Sequence, residues 1–208
     1  GFSGGNIFYD ALIVSVSSPS QRNKTSSLGF SLGYLGGGIL FLFNVIMYLY
    51  PESFGLSGPA DAVLWSFMSV AIWWLIFSMP LLFYVQEKDD SVSDNINVVR
   101  KAFSNLISTA KSVRNYKKVV IFLLAYFLYM DGVDTIIRMA TSYGSDIGLS
   151  ASSMISALLL TQFVGFPATL IFGFYADKFG YKESLTFAII VYICVVLFSS
   201  QMDTAEEF

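Results

Sequence analysis

Long apolar blocks are the feature that most restricts how this chain can fold. They alternate with short polar stretches along the 208 residues, and an α-helix needs about 20 such residues to cross the hydrocarbon layer of a membrane. We therefore predict an all-α transmembrane bundle with full spans near residues 29–50, 63–85, 119–140, 152–175 and 184–200. Residues 1 to about 14 are predicted to be the end of a further, partial span, so we expect the chain to begin inside a longer protein.

Composition supports lipid as the solvent and excludes several functions. Hydrophobic residues make up 55% of the chain and charged residues only 13%, against about 25% charged residues in soluble domains. The net charge is −3 and the basic residues form no stripe, so no nucleic-acid partner is expected. With no His and one cysteine, Cys194, the chain offers no usual zinc site, Ser/His/Asp triad or internal disulfide. We predict no enzyme activity, no metal and no cofactor.

Lys and Arg residues are segregated into alternate loops, and such loops face the cytoplasm in most membrane proteins. Eleven of the twelve lie before the span at 29, between those at 63 and 119, or between those at 152 and 184. The loops at 51–62 and 141–151 contain none. The chain is therefore predicted to enter the membrane from the cytoplasm at 29, 119 and 184.

Residues 86–118 are the one long connection, and we interpret them as a cytoplasmic linker between two bundles, residues 1–85 and 119–208. The part from Glu87 to Asn97 is polar and acidic and is predicted to be flexible. Apolar residues then recur at helical spacing, with basic residues between them: Val98, Val99, Ala102, Phe103, Leu106, Ile107, Ala110 and Val113. This helix could lie on the inner membrane face or pack against the cytoplasmic ends of the spans, and a calmodulin-like partner is a third alternative.

The turn between the spans at 152 and 184 carries a motif. Residues 173–182 read GFYADKFGYK, which resembles the G-x-x-x-D-[RK]-x-G-x-[RK] signature of the major facilitator superfamily. Gly173 and Gly180 are expected to permit close helix approach and a tight turn. Asp177 is expected to accept hydrogen bonds at a neighbouring helix N-terminus, and Lys178 and Lys182 to face the anionic leaflet.

Four further stretches are similar to the autophagy-related vacuolar amino-acid effluxer family and its bacterial relatives. They are SLGFSLGYLGGG from residue 27, WWLIFSMP from 73, FLLAYFLYMDGVDTII from 122 and LLLTQFVGFP from 158. The resemblance implies helices four (partial) to nine of twelve, so that residues 1–85 end the N-terminal six-helix half and residues 119–208 begin the C-terminal half.

The same resemblance implies a function. It indicates a secondary active permease that works by alternating access on a small-molecule substrate, with an amino acid as one candidate. The expected partners are the lipid bilayer and the remaining helices of the same full-length chain. The membrane would be the cell membrane of a bacterium or the vacuolar membrane of a fungus. A non-transporting scaffold or receptor that retains the fold is the alternative from another class.

Small residues form two stripes at intervals of four, a pattern that lets transmembrane helices approach closely. One consists of Gly29, Gly33 and Gly37; the other, in the span at 152, consists of Ala157, Thr161, Gly165, Thr169 and Gly173. The resemblance assigns these helices to opposite halves, and we predict that the stripes meet in a contact that slides during alternating access. Static packing is the alternative. Pro167 is predicted to kink its helix.

Charged residues inside spans are costly and often mark substrate or proton pathways. Asp131, Asp134 and Arg138 share one helix face; Asp134 and Arg138 can be an ion pair near the outer interface, whereas Asp131 lies deeper and could contact a proton or a substrate ammonium. Gln162, Asn44 and Tyr126 are further pathway candidates. Secondary candidates, several of which could equally be interfacial anchors, are Tyr9, Asp10, Trp73, Trp74 and Tyr129.

Overall fold

The computed structural model describes residues 2–85 and 98–202, and all regular elements in these ranges are helical. In chain order they are α1 (Phe2–Val16), α2 (Arg22–Leu49), a 3₁₀ helix (Pro51–Phe54), α3 (Pro59–Tyr84), α4 (Val98–Val113), α5 (Lys117–Asp146), α6 (Ala151–Phe179) and α7 (Tyr181–Ser199). Within the described ranges, α2, α3, α5, α6 and α7 are long and apolar enough to cross a membrane. These helices confirm the predicted all-α transmembrane architecture.

The helices extend beyond the predicted spans. Helix α2 begins at Arg22 rather than at residue 29, and α5 continues to Asp146 rather than ending at 140. The apolar run marks only the part of a helix that crosses the hydrocarbon layer. Intrahelical hydrogen bonds continue into the headgroup region, where side chains such as Lys24 are solvated.

The described helices form two compact units, one with α1, α2, α3, α6 and α7 and the other with α4 and α5. In the first unit α2 is central: its longest contact is with α6, and it also packs on α3 and α1, while α7 packs on α6. In the second unit α4 contacts α5.

Proline and glycine shape the connection between α2 and α3, as its composition predicts. Pro51 and Pro59 each begin a helix, where the missing backbone N–H is not needed. Gly55 ends the 3₁₀ helix at φ 72°, a left-handed conformation that favours glycine. The chain therefore reverses between two spans within a few residues.

The predicted linker is described only in part. The segment from Glu87 to Asn97, predicted to be flexible, lies outside the described ranges. The predicted amphipathic helix is observed as α4, Val98–Val113. A three-residue turn, 114–116, then leads directly into α5.

Candidate functional site

Helices α2 and α6 meet along a seam held by polar contacts. Ser31 on α2 is fully buried and donates a hydrogen bond from its hydroxyl to the carbonyl oxygen of Phe166, at 2.9 Å. Nearer the start of α2, the amide nitrogen of Asn23 donates to the carbonyl oxygen of Gly173, at 3.0 Å. Both bonds join side chains of α2 to the backbone of α6.

Two glycines on α6 allow the helices to approach this closely. A β-carbon added at Gly173 would lie 2.5 Å from the β-carbon of Ser27 and closer still to its hydroxyl oxygen. One added at Gly165 would lie 2.6–2.9 Å from ring carbons of Tyr34. Real β-carbon contacts are not this short, so a larger residue at either position would force the backbones apart. The predicted contact between the two helices is confirmed, and Gly165 and Gly173 of the predicted α6 face lie in it.

The predicted face on α2 is wrong at two of its three glycines. A β-carbon at Gly33 would meet no neighbouring atom within 4 Å, and one at Gly29 would face the Tyr9 hydroxyl of α1 at 3.4 Å. Gly37 does face α6, because its added β-carbon would lie 3.5 Å from Gln162. The residues of α2 that form the seam with α6 are Asn23, Ser27, Ser31, Tyr34, Gly37 and Gly38.

The cause of this error is geometric. Ser27, Ser31 and Gly38 also recur at helical spacing, so α2 carries two adjacent stripes of small residues. Periodicity identifies both stripes but does not say which one faces α6. The hydroxyl of Ser31 was the distinguishing signal, since a hydroxyl inside a membrane bundle is retained where it finds a hydrogen-bond partner, here on α6. The hydroxyl of Ser27 instead donates to the Asn23 carbonyl of its own helix.

The signature turn has the predicted positive-φ glycine. Gly180 joins α6 to α7 at φ 94°, a conformation that strains other residues. The carboxylate of Asp177 accepts a hydrogen bond from the side-chain amide of Asn23, at 2.6 Å, so its partner in the first turn of α2 is a side chain. Lys178 lies over the ring of Phe179, 5.4 Å from its centroid. The turn therefore ties the end of α6 to the start of α2.

The amide of Asn23 links two acceptors, Gly173 and Asp177, and this arrangement can be tested by a double-mutant cycle. Replacing Asn23 with alanine removes both hydrogen bonds, whereas Asp177→Ala removes one. We expect each variant to lower the stability of the detergent-purified full-length protein, by about 1 kcal/mol per lost bond. The double variant should be no less stable than Asn23→Ala alone in thermal unfolding. Additive losses would contradict the shared network.

A cavity of about 720 Å³ lies beside the seam. Its walls come from four helices, and every lining side chain is uncharged. These residues are Gly5, Asn6 and Tyr9 of α1, Gly29, Phe30, Gly33 and Tyr34 of α2, Trp73, Trp74, Phe77 and Ser78 of α3, and Gln162 of α6. Aromatic faces with a few amide and hydroxyl groups are typical of a small-molecule site.

Gln162 is the predicted pathway residue that the structure places in this cavity, together with the secondary candidates Tyr9, Trp73 and Trp74. Asp10 borders a separate cavity of about 160 Å³. Asn44 accepts a hydrogen bond from the hydroxyl of Ser69, at 2.9 Å, and so joins α2 to α3. Its observed contact is structural.

The other predicted pathway residues belong to α5 in the second unit. Asp134 and Arg138 form an ion pair at 3.9 Å, with both side chains exposed, as the ion-pair alternative predicts. Tyr126 stacks on Phe122, with ring centroids 6.3 Å apart. Asp131 is exposed on α5. In the described ranges no group of three Cys, Asp or Glu residues could share a metal ion.

Six lining residues were not predicted: Gly5, Asn6, Phe30, Tyr34, Phe77 and Ser78. Tyr34 also packs against the position of Gly165. Asn6 and Ser78 are polar residues within apolar helices, and such residues often face a cavity, so the sequence could have identified them. Tyr34 looked like any other aromatic residue of the span, so only packing distinguishes it.

Comparison with known proteins finds relatives among membrane transporters. Residues 14–200 match the family model "Vacuole effluxer Atg22 like". The chain is 39% identical, over its full length, to the uncharacterized MFS-type transporter YxiO of Bacillus subtilis, of which it covers 49%. It is 22% identical to autophagy-related protein 22-2 of Aspergillus clavatus and 23% identical to autophagy-related protein 22-1 of Penicillium rubens. Each comparison covers 84% of this chain and, respectively, 29% and 30% of the fungal protein.

The chain thus spans about half the length of its bacterial relative and less of the fungal ones. No solved structure matches it. The candidate spans and these relatives together identify an integral multi-pass membrane protein. Because the family model covers nearly the whole sequence, the chain belongs to the Atg22-like vacuole effluxer family of transporters.

Proposed function

We propose that the full-length protein is a secondary active transporter that moves an amino acid across the membrane by alternating access. One observation carries this proposal: the cavity and the α2–α6 seam share residues. Tyr34 lines the cavity and also packs against Gly165. Gln162 lines the cavity and also lies against Gly37 and Gly38. Any movement of α6 along α2 therefore changes the shape of the cavity.

The seam is suited to such movement. Small residues let the two helices slide along each other. The hydrogen bonds across the seam, one from Ser31 and two from Asn23, are few enough to break and form again during the movement. Under the predicted topology, Asn23 and Asp177 lie at the cytoplasmic end. Their hydrogen bond would then hold that end closed, and its loss would favour the inward-open state.

The chemistry of the cavity supports a zwitterionic amino acid. A zwitterion has no net charge, which matches the uncharged lining. The amide of Gln162 can donate to a carboxylate and accept from an ammonium group. The rings of Trp73, Trp74 and Phe77 offer an apolar surface for a side chain and a π face for the ammonium.

Transport by the full-length protein in proteoliposomes tests the proposal. Vesicles would be loaded with individual amino acids of different charge and size, and flux followed with and without a proton gradient. We expect counterflow of neutral amino acids in preference to charged ones. Binding of an amino acid without flux would instead support the scaffold or receptor alternative.

Gln162→Ala tests the role of the cavity. We expect a rise in KM of about tenfold, because a hydrogen bond to a charged group contributes about 1.5–3 kcal/mol. Thr161→Val is the matched control, since the neighbouring Thr161 hydroxyl bonds only the Ala157 carbonyl of its own helix. Equal kinetics for both variants would remove Gln162 from the substrate pathway.

A further inference from the structure

We propose that α4 is a membrane-surface helix that binds the anionic lipids of the inner leaflet through its apolar face and the basic residues beside it. Sequence alone left three alternatives for this helix: the lipid surface, the cytoplasmic ends of the spans, or a separate protein partner. The structure and the charge distribution favour the first. The inference concerns lipid contact and does not depend on which substrate is transported.

Within its own unit, the described residues leave the apolar face of α4 exposed. Phe103, Leu106 and Ile107 are 62%, 65% and 56% exposed. Such side chains become more stable when they leave water for an apolar environment. An amphipathic helix with this composition is stabilised when its apolar side enters the boundary between headgroups and acyl chains.

The short connection to α5 keeps α4 close to the membrane interface. Helix α5 is a candidate span that begins at Lys117, and Lys117 and Lys118 mark its end at the headgroup region. Tyr116, 64% exposed, is a typical interfacial anchor beside them. Since α4 ends at Val113, the four residue steps to Lys117 keep its C-terminus within about 14 Å of the same interface.

The basic residues in and beside α4 favour binding to an anionic membrane surface. Residues 98–118 contain six basic residues and no acidic one. By helical spacing, Arg100, Lys111 and Arg114 lie along the Ile107 edge of the apolar face, where long side chains can reach lipid phosphates while the apolar face is immersed. Each basic residue near an anionic leaflet adds attraction that weakens with salt.

The cytoplasmic ends of the spans are a poorer partner for α4. Under the predicted topology the starts of α2 and α7 and the end of α6 are together net positive, and like charges would oppose docking of a basic helix there. They carry four basic residues, Arg22, Lys24, Lys178 and Lys182, and two acidic ones, Asp177 and Glu183. Asp177 already accepts a hydrogen bond from Asn23. Lipid phosphate is therefore the favoured occupant.

Fluorescence quenching on the full-length protein tests the proposal. Single cysteines would replace Leu106, at the centre of the apolar face, or Ser108, on the opposite side, in a background with Cys194→Ser. Each would carry a small fluorophore in nanodiscs of phosphatidylcholine alone or with phosphatidylglycerol. We expect the probe at 106 to be quenched by spin-labelled lipid and the probe at 108 by aqueous iodide. Lipid quenching at 106 should be greater with phosphatidylglycerol.

Charge removal makes the test specific. Arg100→Gln, Lys111→Gln and Arg114→Gln together should lower lipid quenching at 106 roughly twofold in mixed nanodiscs, and 0.5 M salt should have a similar effect. Lys178→Gln is the control and should change neither signal. A probe at 106 shielded from both quenchers would show that α4 packs on protein. Lipid quenching independent of phosphatidylglycerol, salt and the three substitutions would exclude anionic-lipid binding.

Discussion

Replacing Gly173 with alanine is expected to abolish transport by the full-length protein. The added methyl group would lie 2.5 Å from the β-carbon of Ser27, and the short serine side chain cannot rotate away from it. The start of α2 and the end of α6 must therefore separate, which also breaks the bond from Asn23 to the Gly173 carbonyl. Overpacking of this kind typically costs about 1–3 kcal/mol, and thermal unfolding and flux measurements would record it.

A second substitution distinguishes this steric effect from a general loss of folding. Ser27→Gly removes the atoms that the new methyl group meets, so the Ser27→Gly, Gly173→Ala double variant should recover most of the flux. Gly4→Ala is the matched control, because it adds a methyl group to a helical glycine outside the cavity lining where no neighbour lies within 4 Å, and it should transport normally. Failure of the double variant together with a defect in Gly4→Ala would contradict the assigned seam.

Asp131→Asn is expected to abolish transport or uncouple it from the proton gradient. Asp131 lies fourteen residues after Lys117, the first residue of α5, and a rise of about 1.5 Å per residue puts it roughly 20 Å along the helix. A carboxylate at that depth is costly unless it exchanges a proton or pairs with a cation. We propose that Asp131 serves the coupling proton or the substrate ammonium, and flux at several values of the proton gradient would measure the change.

The neighbouring ion pair supplies the control. Asp134→Asn leaves Arg138 without the carboxylate that it approaches at 3.9 Å, so we expect partial loss of transport that Arg138→Gln partly restores. Asp131→Asn should not be restored by Arg138→Gln. Normal, proton-dependent flux by Asp131→Asn would leave this carboxylate with a structural role only.

Much of the fold could be predicted because short, continuous stretches of sequence determine it. Apolar runs predict spans wherever about 20 residues must replace water with lipid. The pattern from Gly173 to Lys182 predicts a tight turn because Gly180 can adopt a positive φ. The site was less predictable: Gln162 was identified as a polar residue in a span, whereas Tyr34 carried no signal that separates it from other aromatic residues.

The sequence by itself determined the number of described spans, the contact-forming small face of α6 and the amphipathic character of α4, since each follows from periodicity along one helix. Only the tertiary structure decided which of two small stripes on α2 meets α6. The stripe with Ser27 and Ser31 forms the seam, and Gly33 faces a cavity. The reason is physical: one helix presents several comparable faces, and the choice among them depends on hydrogen bonds and packing that exist only when the partner helix is in place.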